Sequence, residues 1–386
     1  MEIAFWLLIT LVFYTYVGYG IVLFILVKIR GSKVSPKIYD SVNEVAITHI
    51  VAAFNEEAYI EEKIQNSLAL NYPQSKNILW IVTDGSTDST PELVQKYENV
   101  RLFHSPERKG KIHAVNRVMP LVETPIVVYS DANTILNQES LHNITRHYID
   151  PKVGCVSGEK RIRQDDKDEA SSAGEGMYWK YESFLKKYDY HLHSVVGAAG
   201  ELFSIRTDLY EHINPDTLIE DFYLSLRIAQ KGYKIAYEPE AYALENSSES
   251  IKEESKRKIR IAAGGHQAIW RLRSLLNFFQ YGWLSFQFIS HRVLRWTLTP
   301  LALSLLLVLN AFLAVNNILY QLILVAQLGF YGLAFLGHFF QKRKIKVKAL
   351  FVPFYFTFMN ISVYQGFFRY IKGSQSVLWE RASRKV

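Results

Sequence analysis

ILWIVTDGSTDST, residues 78–90, decides the reading of this chain: an apolar run ends abruptly in Asp84, followed by Gly, Ser, Thr and a second Asp. Ile78, Leu79, Ile81 and Val82 show no polar alternation, which predicts a strand buried on both faces, with Asp84-Gly85-Ser86 as the turn at its carboxyl end. Open parallel sheets bind ligands at that end. A carboxylate there accepts hydrogen bonds from a nucleotide base or ribose, Gly85 lets backbone come close, and Asp88 and Ser89 suit the start of the next helix. Taken alone, the stretch serves equally as a plain strand-to-helix turn.

Outward from it, short apolar strands alternate with helical stretches from about 45 to 240, the pattern of an α/β domain with a mostly parallel sheet. EVAITHIVAAFNE (44–56) predicts a strand and residues 57–70 a helix; residues 88–97 predict a helix, VRLFHS (100–105) a strand and RKGKIHAVNRVM (108–119) another helix. TPIVVYSDANT (124–134) repeats the first device, an apolar strand ending in Asp131. RIRQDDKDEASSAGEG (161–176) is polar and rich in small residues, which predicts a surface loop, and MYWKYESFLKKYDYHLH (177–193) an amphipathic helix. GAAGELFSIR (197–206) predicts a Gly-rich turn and strand, and residues 218–241 a helix with an acidic start, closed at Gly232, then a last strand.

The ends differ. Hydrophobic residues make up 49% of the 386, with 24 Tyr and 23 Phe, more than a soluble core of this size holds. Residues 3–27 carry no charge and precede Lys28, Arg30, Lys33 and Lys37, so residues 1–30 read as a retained anchor with its amino terminus outside and the following domain, 44–273, in the cytoplasm. A charged helix is expected near 249–263, an interfacial helix at 275–290, and a transmembrane hairpin within 296–340. Residues 349–386 supply a third apolar segment, spanning or re-entrant, and a basic tail. The net charge of +7 gathers beside these segments, which fits a bilayer surface rather than nucleic acid. The chain thus reads as a multi-pass protein of the cell (inner) membrane. Its one cysteine, Cys155 in VGCVSG, is expected to be a buried thiol.

FNEE (54–57), TDGSTDST (83–90), the spacing from Lys109 to Asn116, SDAN (130–133), GAAG (197–200) and IED (219–221) occur in an order that resembles the family 2 glycosyltransferases. The membrane synthases for hyaluronan, chitin, cellulose and poly-N-acetylglucosamine look most similar. The resemblance covers residues 44–273 and implies a Rossmann-like GT-A domain flanked by transmembrane helices. It further implies a UDP-sugar donor, with Asn55, Glu57 and Asp84 around the uridine and ribose and Lys111 near the base or diphosphate. Asp131 takes the donor and metal position of a DxD motif with Asn133, where Mg²⁺ or Mn²⁺ is expected. Asn133 stands where many members have a second Asp.

By the same resemblance Asp221 is the catalytic base and Glu220 supports it, in a direct displacement with inversion. The plain alternative is that both acids open a helix, where carboxylates are stabilising. Gln267, Trp270 and Arg271 fall where processive members carry Gln-x-x-Arg-Trp, for acceptor sugar and diphosphate, but with Trp and Arg exchanged. A one-residue shift turns a helical side chain by about 100°, which leaves processivity open. Arg257, Lys258 and Arg260 are further cations for diphosphate or lipid headgroups, or a solvated face. Tyr178, Trp179 and Tyr181 either stack on sugars or pack.

The function implied is transfer to a glycan or lipid-linked acceptor in cell-envelope or exopolysaccharide synthesis, with a homo-oligomer or secretion partner completing any channel. A single-transfer glycolipid enzyme and a silent scaffold are the alternatives. A dinucleotide oxidoreductase is disfavoured, because no G-x-G-x-x-G follows the first strand.

Overall fold

In the computed structural model the described residues are 1–32, 34, 44–163, 169–246, 250–342 and 347–378, with backbone alone for 169–178, 342 and 348. Lys33, Lys37, residues 164–168, the basic residues 343–346, the tail 379–386 and the side chain of Tyr178 therefore lie outside it.

The helix α1 (Glu2–Phe13) continues through a π turn (Tyr14–Gly18) into α2 (Tyr19–Arg30). The domain follows as β1 (Ile47–Ala53), α3 (Ile60–Leu68), β2 (Asn77–Asp84), α4 (Thr90–Gln95), β3 (Val100–Ser105), α5 (Lys111–Val118), β4 (Ile126–Asp131), β5 (Thr134–Leu136), α6 (Ser140–Thr145), β6 (Val153–Ile162), α7 (Glu169–Leu192), β7 (Leu202–Arg206), α8 (Glu220–Gln230), β8 (Lys234–Glu245) and α9 (Ile251–Arg271). Eight strands form one sheet in the order β3-β2-β1-β4-β7-β6-β8-β5. β3, β2, β1 and β4 run parallel, β7 is antiparallel to β4 and β6, and β6 and β8 are parallel. This is the mixed, mostly parallel GT-A sheet that the sequence implied.

The apolar runs explain the order. Ile126, Val127 and Val128 of β4 and Ile81 and Val82 of β2 are buried, so helices cover both faces of the sheet. Each such side chain contributes about 1.5–3 kcal/mol on burial. Cys155 is buried on β6 as expected, and burial pushes its thiol well up. The loop expected over 161–176 is largely absent. β6 reaches Ile162 and α7 begins at Glu169, because Ala, Ser and Glu are tolerated in a helix whose later turns are anchored in the core. α9 likewise outruns its expected end by eight residues, from 263 to Arg271.

After α9 the stretch 275–290 is broken rather than one helix. It runs through α10 (Phe278–Tyr281) and α11 (Trp283–Phe288), with Gly282 at φ 51° between them, then a second π turn (Ile289–Val293) and α12 (Leu294–Trp296). α13 (Leu298–Leu313), α14 (Ile318–Lys342) and α15 (Lys348–Ile371) complete the chain. Among the described residues two helices are long and apolar enough to cross a membrane, Glu2–Arg30 and Ile318–Gln341. A third span results if Trp283–Trp296 and Leu298–Leu313, bent by 50°, act together. α15 packs against α9 and α14.

Candidate active site

The carboxyl ends of β1, β2 and β4 lie on one edge of the sheet. Ala52 pairs with both Val82 and Asp131, so Asp131 is level with Val82 and Asp84 stands two residues further along a strand two places away. Their backbones are about 12 Å apart. Asp84 is buried and committed to the next loop: its carboxylate accepts the backbone N–H of Gly110 at 2.6 Å and of Lys109 at 3.1 Å. Gly85 is required here, since at φ +68° a Cβ would lie 2.5 Å from Arg108 Cβ. Asp84 thereby sets the start of α5 and aims Lys111.

Asn55 and Glu57 tie two loops together. The Thr87 N–H donates to Asn55 Oδ1 at 2.8 Å, and the Asn55 N–H to Ser86 Oγ at 3.2 Å. The Glu57 N–H donates to Asp88 Oδ2, while Ser89 N–H donates back to Glu57 Oε2. Asn55 holds φ 54°, rare outside glycine and more accessible to Asn than to most residues.

Lys111 Nζ donates to Asp131 Oδ1 at 2.8 Å and lies 3.0 Å from Glu220 Oε1. Burial alone would lower its pKa, but the two carboxylates outweigh it and hold the ammonium charged. Burial opposes ionisation of Glu220 too, yet Lys111 and Arg260 keep its pKa low. Asp221 differs: burial first and neighbouring Glu220 second push it up to about 7. The pair Glu220-Asp221 therefore splits into an ionised member and one poised near neutrality. Asp131 is raised by burial, against the pull of Lys111.

The Gly-rich turn accommodates this acid. A Cβ on Gly200 would meet Asp221 Oδ2 at 3.1 Å, and one on Gly197, at φ +88°, would meet Phe222 Cδ2 at 2.2 Å. Lys111, Asp131, Glu220 and Asp221 all line a cleft of about 730 Å³ bounded by α7, α9, α15 and both π turns.

Sequence reasoning passed over several residues of this region. Lys160 is buried and donates to Glu201 at 2.7 Å and to Glu245, offsetting part of the negative charge of these two acids beside Asp131. Lys63 is buried on α3 and donates to the Thr134 carbonyl at 2.9 Å, while Thr134 Oγ1 donates to the Asp131 carbonyl; burial lowers Lys63 to about 7. Amphipathic spacing within EEKIQ was its one trace in the sequence.

The Gln267 group stands on α9 against residues 216–218. Trp270 is 64% exposed and none of Gln267, Trp270 and Arg271 lines the cleft. Gln267 instead accepts the Leu218 N–H at 3.0 Å and donates to the Asp216 carbonyl at 2.8 Å, and Arg271 holds Thr217 and Asp216. They brace the loop that leads into Glu220. The α9 cations that line the cleft stand about two to three turns earlier, Lys256, Arg257, Lys258 and Arg260, and Trp179 and Tyr181 of α7 line it too.

Asn133 lines a separate hollow with Tyr59, Glu62 and Asn246, so of the DxD pair only Asp131 faces the cleft. Among the described residues no three His, Cys, Asp or Glu side chains converge as a ready cage. A hard cation bound through one carboxylate, donor phosphates and water needs no cage. The ammonium of Lys111 between Asp131 and Glu220 shows that oxygen donors there already accommodate positive charge.

Three comparisons bear on this arrangement. Residues 45–264 match the family described as "Glycosyltransferase like family 2". The poly-beta-1,6-N-acetyl-D-glucosamine synthase of Staphylococcus aureus (strain COL) is 30% identical over 235 residues, 58% of this chain and 56% of that protein. The enzyme of the same name from Staphylococcus epidermidis is 26% identical over the same shares. The chain thus spans little more than half the length of these relatives. In fold it is similar to the mannosyltransferase PcManGT from Pyrobaculum calidifontis, solved with GDP-Man and Mn²⁺, with TM-score 0.76, 21% identity, and coverage of 97% of this chain and 99% of that one. With the family matched across the whole sheet, the chain belongs to the family 2 glycosyltransferases.

Proposed function

We propose that the chain is an inverting glycosyltransferase that moves a sugar from a UDP-sugar to a hydroxyl of a glycan or lipid-linked acceptor at the cytoplasmic face of the cell membrane. Cell-envelope or exopolysaccharide synthesis is its setting. The observation that carries the reading is Asp221, poised near neutrality in the cleft across from the Lys111–Asp131 ion pair. An acid with that pKa is matched to general-base work at cellular pH.

In the step, the acceptor oxygen attacks the anomeric carbon as its proton passes to Asp221. The bond from that carbon to the diphosphate oxygen breaks, and the nucleoside diphosphate leaves with the electron pair. Lys111 supplies positive charge near the leaving group, Glu220 keeps Lys111 in place, and Asn55, Glu57 and Asp84 shape the nucleotide end. Asp131 would hold Mg²⁺ or Mn²⁺, with Asn133 as a more distant candidate. Such an ion, when bound, neutralises the diphosphate and eases its departure. Lys28 and Arg30, closing the first span, support a cytoplasmic domain.

The test is nucleotide release from purified protein in nanodiscs with either metal, against a panel of UDP-sugars and GDP-mannose, with product length followed. Metal-dependent release that falls by about a hundredfold or more in Asp221→Asn is expected, with nucleotide binding kept. A chain that binds none of the nucleotides, or a variant as fast as the wild type, overturns the reading.

A further inference from the structure

The same cleft continues well past the catalytic acids, and its far part has a different chemistry. Phe222 meets Trp296 edge-on at 5.4 Å between ring centres, and from there Arg292 and Arg295 form the next wall. Both guanidiniums converge on Glu182, Arg292 Nη1 at 3.2 Å, so two positive charges share one carboxylate. Lys258 faces them across the cleft from α9.

Beyond these cations the lining turns apolar. Tyr16, in the first π turn, packs on Phe356 at 4.8 Å between ring centres and donates to Asn360 Oδ1 at 2.8 Å. Phe351, Val352, Tyr355 and Met359 of α15 continue the same wall. Phe356 also packs on Phe330 at 5.7 Å. Tyr16 lies midway along the span Glu2–Arg30 and Phe330 midway along Ile318–Gln341, so this end of the cleft lies at membrane depth. Both π turns form its wall, and such turns inside helices are frequent at functional sites.

Resting on the transferase reading of this cleft, we propose that its far half is the acceptor site for a long-chain lipid with a phosphorylated headgroup. The chain lies along α15 against Tyr16 and Phe356, the phosphate sits among Arg292, Arg295 and Lys258, and the acceptor hydroxyl beyond it reaches Asp221. The charge order supports this occupant: an anion needs positive partners at the polar–apolar boundary, where two guanidiniums outnumber the carboxylate they share.

The experiment uses the full chain in nanodiscs of uncharged lipid without donor, exposed to a diazirine-bearing long-chain isoprenyl phosphate, the matching isoprenol, or a diazirine-bearing phosphatidylglycerol. Labelling that maps to α15, is about tenfold stronger for the isoprenyl phosphate than for the isoprenol, and falls in both Arg295→Gln and Met359→Trp supports the proposal, with Arg295→Lys restoring part of it. Stronger labelling by phosphatidylglycerol would support a phosphorylated lipid and assign it to the bilayer rather than to an isoprenyl carrier, whereas equal labelling by the isoprenol would remove the phosphate and overturn the proposal. Nucleotide binding measured on the same samples separates the failures. Lost labelling with nucleotide binding intact sinks the lipid site alone, whereas absent nucleotide binding in the wild type sinks the transferase reading.

Discussion

Asp221 has two physical reasons to keep its proton, burial and the ionised Glu220 beside it, and they act with opposite consequences for catalysis and stability. In the proposed role of general base Asp221 works once deprotonated, so turnover under subsaturating acceptor is expected to rise with pH up to about 7 and then level. For stability the sign is reversed. The unfolded carboxyl releases its proton near 3.8 and the folded one near 7, so between those values the folded state binds more protons and stability falls as pH rises. Asp221→Asn removes that cost. Its melting temperature is expected to exceed the wild type's by about 2 °C or more at pH 8 and to match it at pH 4, while turnover is lost at both. Thermal melting of the two proteins at the two pH values checks this. A variant that melts lower at pH 8 would mean that the carboxylate is held by partners that favour its charge.

One element, α9, explains how the catalytic loop is held, and it also shows what a sequence reading reaches and misses. Its run Ala262-Ala263-Gly264-Gly265 has almost no side chain, and Leu218, Ile219 and Trp296 press into the gap. A Cβ on Gly264 would lie 2.9 Å from Ile219 Cγ2, and one on Gly265 2.5 Å from Trp296. One turn on, the Gln267 amide brackets Leu218 and Asp216. Gln267→Ala is therefore expected to lower kcat by about tenfold with little change in donor KM, because it loosens the loop ahead of Asp221 without touching the nucleotide end; steady-state kinetics in varied donor distinguishes the two. The sheet and its edge were legible beforehand, since continuous apolar runs ending in Asp84 and Asp131 leave few alternatives. Gln267 and Arg271 were legible as residues, but their contacts with Asp216, Thr217 and Leu218 were not. Their direction depends on where α9 sits on the loop, and that is set by missing side chains at 262–265 rather than by any motif. The early start of α7 escaped for a related reason: its polar first turns carry no periodicity, and the helix is held by packing further along.

The sheet domain meets the long apolar helices where α2 packs on α7 and, more extensively, at the close crossing of α9 and α15. Gly366 makes it possible: a Cβ there would lie 2.5 Å from Ala262 Cβ, 2.7 Å from Ala263 N and 2.8 Å from the Ile259 carbonyl oxygen. Two of these are backbone atoms and cannot move alone, so even an added methyl group must push the helices apart. Both helices are walls of the cleft, α9 through Lys258 and Arg260 and α15 through Phe356 and Met359. The proposed donor end, Asp84, Lys111 and Asp131, is built on the sheet and stands outside this crossing. Gly366→Ala is therefore expected to destabilise the protein by about 1–3 kcal/mol and to separate two activities that normally run together. Nucleotide binding and slow donor hydrolysis persist, while transfer to acceptor drops with the displaced wall. Measuring UDP release with and without acceptor tests the separation. Equal loss of both would mean that the membrane helices shape the donor end as well, and unchanged transfer would mean that α15 stands apart from the acceptor path.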